Sequence, residues 1–546
     1  MASVGLENLP LEILHMILGH LGGCTRGRPL SEPLFCLYNN YGGQQSAPYP
    51  KERHLLRTLC LVSRKLRQLV EPILYQEFMP GYGEPWWYNH YTWDRRLTTF
   101  MRTVAHRRDL ASYVRRIYIH PHLITDLGIE VFKGKSARHS REVSPQSLRP
   151  ITQQEAQDTL REVAQALGND ALCSLSAGDL LAGLVAELPN LEHLSLHVGL
   201  PVRSVLGSAG LRAARVSQLP IKTIDICSGA SQSEVDAGML LHLDEYATDL
   251  WAACSSLETL NLHMCESLWS QPTSFPSLPQ LTTLRLTYTD LSKSELRAIL
   301  SACQRLRHFH YEYARGSFYP DKRGKVVQIG DAVTRLECHR ATLETVHLDG
   351  RQNVALVGGP KLGPVVSFRG FPLLHHLFLN TDEIYDRLSE RDSTDDPELW
   401  VQILSPNIRS LHLASTILDE RYPREERLLQ GLANAVSRGQ YPSLRKIRWG
   451  GRVRKRGEHL LPAHSLCVPS VDTNKSIHEA GKESSRGLIG SAMFAATGVD
   501  FMVTVWPGSP TTSSITSEIN MGYYNFAPQE EYSTLFPLPG EDEFPW

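Results

Sequence analysis

Nine copies of the pattern L-x-x-L-x-L, with some other apolar residues in place of leucine, recur along the middle of the chain. Their first apolar residues are at positions 191, 221, 257, 281, 306, 343, 374, 408 and 444, so successive copies lie 24 to 37 residues apart. The second and third apolar residues are two apart, and they therefore share one face of a β-strand. The first one falls at the turn into the strand. Helical stretches such as Ser292–Gln304 and Arg424–Gly439 lie between the copies.

A strand and a helix repeated at this spacing predict a leucine-rich repeat solenoid, an α/β repeat fold, over residues 177–450. A single unit cannot close its own core, so neighbouring units stack and share one. The Asn or Cys that usually follows the third leucine by three places is present only as Cys265, and the spacing is uneven. We therefore expect an irregular solenoid. Two helices, Gln154–Leu167 and Ala177–Glu187, are predicted ahead of the first copy.

The composition argues against several classes of partner and location. A net charge of -2 over 546 residues argues against nucleic acid and against an anionic membrane surface. Ten cysteines without a C-x-x-C pair favour a reduced chain inside the cell, in the cytoplasm, the nucleus or both. Glu7, Glu12 and His15 interrupt the first apolar run, which disfavours a signal peptide. The uncharged stretch Gly487–Val499 is too short for a membrane helix, and a buried strand is predicted at Phe501–Trp506.

The sequence carries no motif for catalysis or for binding a cofactor. It lacks G-x-x-x-x-G-K-[ST], H-E-x-x-H, G-x-S-x-G and a G-x-G-x-x-G after a strand. We therefore expect neither an enzyme nor a cofactor. Cys303, His308 and His310 lack a matching second pair of ligands, so no metal site is expected.

The N-terminal region is more apolar than a surface helix requires. Leu6–Leu21 contains a short helix with apolar residues around most of its circumference, whereas a surface helix needs a stripe about 100° wide. A Gly-, Pro- and Asn-rich loop is predicted at about 22–53. Helices resume at Leu55–Leu61 and Ser63–Val70, with Ser63 as an N-cap. Three short helices have too little core for all these side chains, so the surplus contacts either the solenoid or another protein.

This region resembles the F-box, especially the form common in filamentous-fungal proteins. That form reads L-P-x-E-I-L-x-x-I-L, a spacer, L-C-L-V-S-[RK]-x-[FL]-R-x-L, and then P-x-L-Y. The matching residues are Leu9, Pro10, Glu12, Ile13, Leu14, Ile17 and Leu18 in the first half, and Leu59, Cys60, Leu61, Val62, Ser63, Arg64, Leu66, Arg67, Leu69, Pro72, Leu74 and Tyr75 in the second. The resemblance implies a small all-helical F-box at residues 1–78, interrupted by an insertion at about 22–53 that is longer than the usual spacer.

In F-box proteins these helices bind the Skp-type adaptor, which in turn binds a cullin scaffold. The resemblance implies an adaptor-binding surface made of Leu9, Pro10, Ile13, Leu14, Ile17, Leu18, Leu61, Val62 and Leu66. Two other arrangements stay open: the residues are all internal core, or the segment caps the solenoid. A cap would bury Leu9, Pro10 and Ile13 against the first repeat, whereas an adaptor-binding box would leave them exposed.

The function implied is that of a substrate-recognition subunit of an SCF-type cullin–RING ubiquitin ligase, whose repeats bind an unidentified protein. The alternative is a leucine-rich repeat interaction scaffold without a ligase. The pattern places polar residues on the outward, concave face of the strands, where a target would bind. Those singled out are His197, His263, Arg285, His310 and His347, and the simpler interpretation is that they are ordinary polar strand residues.

Three further segments carry predictions. Residues 79–176 are expected to link the box to the solenoid, and the aromatic cluster Trp86–Trp93 within them favours a structural role over a binding one. The basic run at 452–456 is interpreted as solvated charge, with nuclear import or phosphate binding as alternatives. Residues 451–546 are predicted to form a C-terminal cap and a partly disordered tail.

Overall fold

The structure is a computed structural model of the chain. It describes residues 9–21, 48–80, 96–119, 123, 153–166, 177–198, 208–214, 216–228, 241–242, 248–263, 265–266, 275–289, 291–313, 327, 329–349, 366–380, 398–415, 422–451 and 492–505. Outside the described residues lie most of the predicted loop, at 22–47, the aromatic cluster Trp86–Trp93, the basic run at 452–456 and the predicted tail from 506 onward.

The chain forms two compact units, residues 1–230 with 239–281, and residues 231–238 with 282–546. The helices of the first unit are α1 (Leu11–Leu21), α2 (Pro48–Val62), α3 (Arg64–Leu74), α4 (Arg96–His106), α5 (Arg108–Ala111), α6 (Gln153–Ala166), α7 (Ala177–Ala186), α8 (Ser208–Ala213) and α9 (Thr248–Ala253). Those of the second unit are α10 (Lys293–Ala302), α11 (Ile329–Leu336), α12 (Leu399–Ile403) and α13 (Tyr422–Ser437).

Parallel strands run through both units. In the first unit they are β1 (Glu77–Phe78), β2 (Arg116–Ile119), β3 (His193–Val198), β4 (Thr223–Ser228) and β6 (Thr259–His263), side by side in that order, with a separate small sheet of β5 (Leu241–His242) and β7 (Cys265–Glu266). In the second unit they are β8 (Thr283–Thr289), β9 (His308–Tyr313), β10 (Thr345–Asp349), β11 (His376–Asn380), β12 (Ser410–Ser415), β13 (Lys446–Gly451) and β14 (Asp500–Val505), again in chain order.

The leucine pattern builds the core of both units. The first apolar residue of every copy is at most 1% exposed, and the second and third are at most 4% exposed. The first residue closes a turn: the N–H of Leu191 donates to the carbonyl oxygen of Leu188 at 3.2 Å, and Leu374 does the same with Phe371. All nine predicted strands are present, which confirms the α/β repeat.

Strands of the same kind also occur outside residues 177–450. β1 and β2 precede that range, and β14 pairs with β13 in register, so that Phe501 lies opposite Ile447. The strand predicted at Phe501–Trp506 is therefore confirmed as far as Val505, and Phe501 is buried. Within the described residues, no helix has the length and apolar character needed to cross a membrane.

Two N-terminal helices extend beyond their predicted bounds, and α3 ends at Leu74 where Val70 was predicted. α2 begins at Pro48, so the last residues of the predicted loop are helical. The predicted N-cap is confirmed, because the Ser63 hydroxyl accepts a hydrogen bond from the Leu66 N–H at 3.2 Å. The carbonyl oxygen of Pro10 accepts the first hydrogen bond of α1, from Leu14 at 3.1 Å.

Candidate functional site

Helix α1 has two apolar faces, and the described part of the chain buries only one of them. Leu14 and Leu18 are at most 1% exposed, and Leu18 packs with Leu56 of α2 and Val70 of α3 in a small core. Ile13 and Met16 lie on the other side of the helix and are 37% and 58% exposed. The second face of α1 is therefore left uncovered by the described residues.

Helix α2 adds to this exposed area. Its last two residues, Leu61 and Val62, are 78% and 63% exposed. The structure exposes nine large apolar side chains among the described residues, and six of them lie on α1 and α2. We call these six the N-terminal apolar surface: Leu11, Ile13, Met16, Leu55, Leu61 and Val62. Scattered exposed apolar residues are ordinary on a protein surface, and this concentration on two helices makes the region a candidate interaction site.

The predicted adaptor-contact residues fall into two groups. Pro10, Ile13, Leu61 and Val62 are exposed, and Leu9 and Ile17 are half-buried, so their contact with a partner stays a prediction. The prediction is corrected for Leu14, Leu18 and Leu66, which are at most 1% exposed because the three helices pack around them. Leu11, Met16 and Leu55 belong to the surface but were not predicted. The sequence pattern identifies the apolar residues, but the packing of the helices determines which of them remain exposed to solvent.

The N-terminal helices are joined closely to the sheet of the first unit. Two residues separate the end of α3 from β1, which pairs with β2 so that Glu77 lies opposite Arg116. The guanidinium of Arg53 on α2 donates to the carbonyl oxygens of Leu74 and Glu77, the latter at 2.9 Å. The ring of Phe78 stacks on Phe100 at 4.0 Å. The N-terminal apolar surface is thus held on the repeats by packed contacts.

A second candidate site is the strand face opposite the leucine positions, which we call the open face. In the second unit one row of side chains crosses this face, and each residue of the row lies directly opposite the next one on the neighbouring strand. The row consists of Arg285, His310, His347, Phe378, His412 and Arg448. Neighbouring rings contact each other, since His347 stacks on both His310 and Phe378 with centroid distances of 3.8 Å.

The open face is less accessible than the sequence predicts. His263 and His347 are on it as expected, but they are only 5% and 1% exposed, so their prediction as outward substrate contacts is corrected. Stacked neighbours cover His347. Arg285 and His310 are half-buried. His197 lies in β3 at the register position opposite Cys227, and the side chain of this histidine lies outside the described residues.

One cluster on the open face brings three metal-ligand types together. Nε2 of His310 lies 2.7 Å from Oε1 of Glu312, and Nε2 of His347 lies 3.9 Å from the same oxygen. One ligand atom from each of the three side chains falls within 4.8 Å of the others. The sequence pattern did not reveal the group, because His347 comes from the next repeat and only the strand register places it beside His310.

The first unit has a different polar group on this face. The Asp225 carboxylate lies 2.6 Å from Nε2 of His193 and accepts a hydrogen bond from the Asn261 side chain, also at 2.6 Å. All three residues are at most 1% exposed. A buried carboxylate needs such partners, so the group fixes neighbouring strands and offers no surface to a ligand.

Comparison with known families gives a match within the repeats. Residues 241–320 match the model described as FBD-associated F-box protein At5g56370, LRR repeats. The matched range holds β5–β9, α9 and α10. It supports an F-box-associated type of leucine-rich repeat protein and, with it, a protein-interaction role. The match does not reach α1–α3, so the F-box and its fungal form stay predictions. A comparison with curated proteins finds no significant match.

Proposed function

We propose that this chain is a substrate-recognition subunit of an SCF-type cullin–RING ubiquitin ligase. The N-terminal apolar surface would bind the Skp-type adaptor, and through it the cullin, while the repeats would bind the target protein. The chain would act in the cytoplasm, the nucleus or both, without a cofactor and without catalysing a reaction itself.

The exposure of the N-terminal apolar surface is the observation that carries the proposal. A segment that only capped the repeats would bury Leu9, Pro10 and Ile13, yet Leu9 is only half-buried, Pro10 is exposed and Ile13 is 37% exposed. Each apolar side chain of this size gains about 1.5–3 kcal/mol on full burial. Six such side chains on two helices form a surface that a partner protein can cover with a large gain in free energy.

The mechanism follows from proximity. A ligase subunit of this kind raises the effective concentration of a target lysine near a charged ubiquitin-conjugating enzyme. Such an increase depends on a fixed geometry between the two binding surfaces. The short connection from α3 to β1 and the Phe78–Phe100 stack provide that fixed geometry within the first unit.

The test is co-purification of the full-length chain with the Skp-type adaptor. Two variants place a charge on the surface, Met16→Glu and the double change Leu61→Glu/Val62→Glu. Leu373→Glu is the matched control, because Leu373 is 43% exposed but lies in the turn before β11. Wild type and control should retain adaptor and cullin. Both surface variants should lose at least about tenfold in affinity, equivalent to about 1.4 kcal/mol, with unchanged melting temperatures.

Two results would count against the proposal. Wild type that retains no adaptor leaves the interaction scaffold without a ligase as the better description. Adaptor binding that survives both surface variants would move the contact away from the N-terminal apolar surface. The variant Leu14→Ala changes a buried residue and so distinguishes a loss of stability from a loss of contact with the adaptor. It should lower the melting temperature together with binding, whereas the surface variants should lower binding alone.

A further inference from the structure

We propose that His310, Glu312 and His347 bind a divalent transition-metal ion, with Zn²⁺ as the first ion to test. The site is built by two neighbouring parallel strands of the second unit. His310 and Glu312 are two residues apart on β9 and therefore point to the same face. His347 on β10 lies directly opposite His310 in the strand register. None of the three residues belongs to the N-terminal apolar surface, and the proposed ligase function needs no metal ion.

The charges at the cluster favour a cation. Glu312 is 6% exposed, and its carboxylate contacts the imidazoles of His310 and His347 among the described residues. Asp349, 9% exposed, lies opposite Glu312 in the register, so a second carboxylate is on the adjacent strand. Removing carboxylates from water is costly unless positive charge is nearby. Arg285 on β8 lies opposite His310 and brings one positive charge to this row, and a divalent ion bound by Glu312 would add positive charge at the carboxylate itself.

The type of donor indicates the class of ion. Two imidazole nitrogens and one carboxylate oxygen are a ligand set of zinc sites and of other borderline first-row ions. Mg²⁺ and Ca²⁺ prefer oxygen ligands throughout. The two rings are stacked at 3.8 Å, so they must tilt toward each other to direct both Nε2 atoms at one ion. The His310 side chain is 19% exposed and gives the ion a path from solvent.

The same sheet provides a matched control. His412 lies in the same row of the open face, two strands from His347, and its ring meets Phe378 edge-on at 4.5 Å. The register position that Glu312 occupies on β9 is occupied by Ala414 on β12. His412 therefore shares the environment of the row but lacks the carboxylate that completes the site.

The experiment uses the full-length chain without a histidine tag, stripped with a chelator and then equilibrated with Zn²⁺. We expect about one Zn²⁺ per chain after desalting, and a Co²⁺ complex whose visible absorption reports nitrogen and oxygen ligands. Glu312→Gln and His347→Gln should each weaken Zn²⁺ binding by at least about tenfold, the lower end of the loss seen even for residues that only support metal ligands. His412→Gln should bind as wild type does.

Three outcomes would overturn the inference: no Zn²⁺ retained by wild type, cluster variants that bind Zn²⁺ as tightly as wild type, or a loss in His412→Gln equal to that of the cluster variants. The last result would indicate non-specific binding to the 22 histidines of the chain. If a cluster variant fails to fold, wild type and His412→Gln decide the matter. Both should melt at a higher temperature with Zn²⁺ in excess, because an ion that binds the native state stabilises it. A melting temperature that does not rise in one of them would contradict the site.

Discussion

His308, the first residue of β9, shows how burial sets the chemistry of a single side chain. Burial lowers the pKa of its imidazole to about 4, against an opposing contribution from Glu344, which raises it. In the unfolded chain the pKa is about 6.5. Between these values the unfolded state binds more protons than the native state, so the free energy of unfolding falls as the pH is lowered.

This difference predicts a pH-dependent loss of stability. From pH 7 to pH 5, the wild-type free energy of unfolding should fall by about 2 kcal/mol more than that of His308→Gln. Urea denaturation of both proteins at the two pH values measures the difference. His339, whose pKa is also lowered by burial, contributes equally to both proteins and cancels. If the free energy of unfolding changes equally in the two proteins between pH 7 and pH 5, His308 is not held neutral by burial.

Cysteine reactivity is a second property fixed at the residue scale. Burial raises the pKa of Cys254 and of Cys303 to about 12, whereas Cys338 is exposed. The pKa of Cys338 is also raised by burial, but its side chain is exposed. Because the thiolate is the reactive form, iodoacetamide at pH 8 should modify Cys338 before Cys254 and Cys303, which should stay intact until the chain unfolds. Mass spectrometry of the peptides measures the order. Early modification of Cys303 would contradict its burial, since it is 4% exposed.

At the scale of elements, the sequence predicts strands well where apolar side chains mark all three template positions. β2 has the same pattern in Val114, Ile117 and Ile119, all at most 2% exposed, and these apolar positions predict a strand there as well. β14 could not be recognised as a repeat, because Gly498 stands where the first leucine would be. The φ of Gly498 is 72°, a conformation that favours glycine, and glycine has no side chain that the pattern could detect.

The burial of the open face could not be predicted in the same way. Alternation along a strand assigns His347 to the face opposite Val346 and Leu348, and this is correct. Alternation along one strand contains no information on residues of the neighbouring strands. Two such residues, His310 and Phe378, cover the His347 ring. The candidate metal cluster was missed for the same reason, since it exists only through the register between β9 and β10.

A close helix contact gives a prediction at this scale. The Gly210 N–H in α8 donates to the Asp179 carboxylate of α7 at 2.7 Å, and a Cβ at Gly210 would overlap the main-chain carbonyl oxygen of Asp179. Gly210→Ala should therefore lower the free energy of unfolding by about 1–3 kcal/mol. Gly370→Ala is the control, because nothing lies within 4 Å of its Cβ position. Denaturant titration compares the two variants, and equal stabilities would contradict the close packing of α7 and α8.

At the scale of the whole molecule, the chain combines well-buried repeats with an unburied N-terminal apolar surface. The core positions of the repeats are almost completely buried, whereas Leu61 is 78% exposed and Met16 is 58% exposed. Exposed apolar side chains that are concentrated in one part of a chain are a feature of interaction sites. The free chain is therefore expected to reduce this exposure by association when its partner is absent.

This expectation gives a prediction that does not depend on identifying the partner. Light scattering over a range of micromolar concentrations should show wild type forming larger species as its concentration rises. Leu61→Glu/Val62→Glu should remain monomeric over that range, because buried unpaired carboxylates oppose association. Leu373→Glu should associate as wild type does, since Leu373 lies far along the chain in the turn before β11. A monomeric wild type would mean that the N-terminal apolar surface is too weakly apolar to drive binding by itself, and adaptor binding would then have to draw its free energy from polar contacts around it.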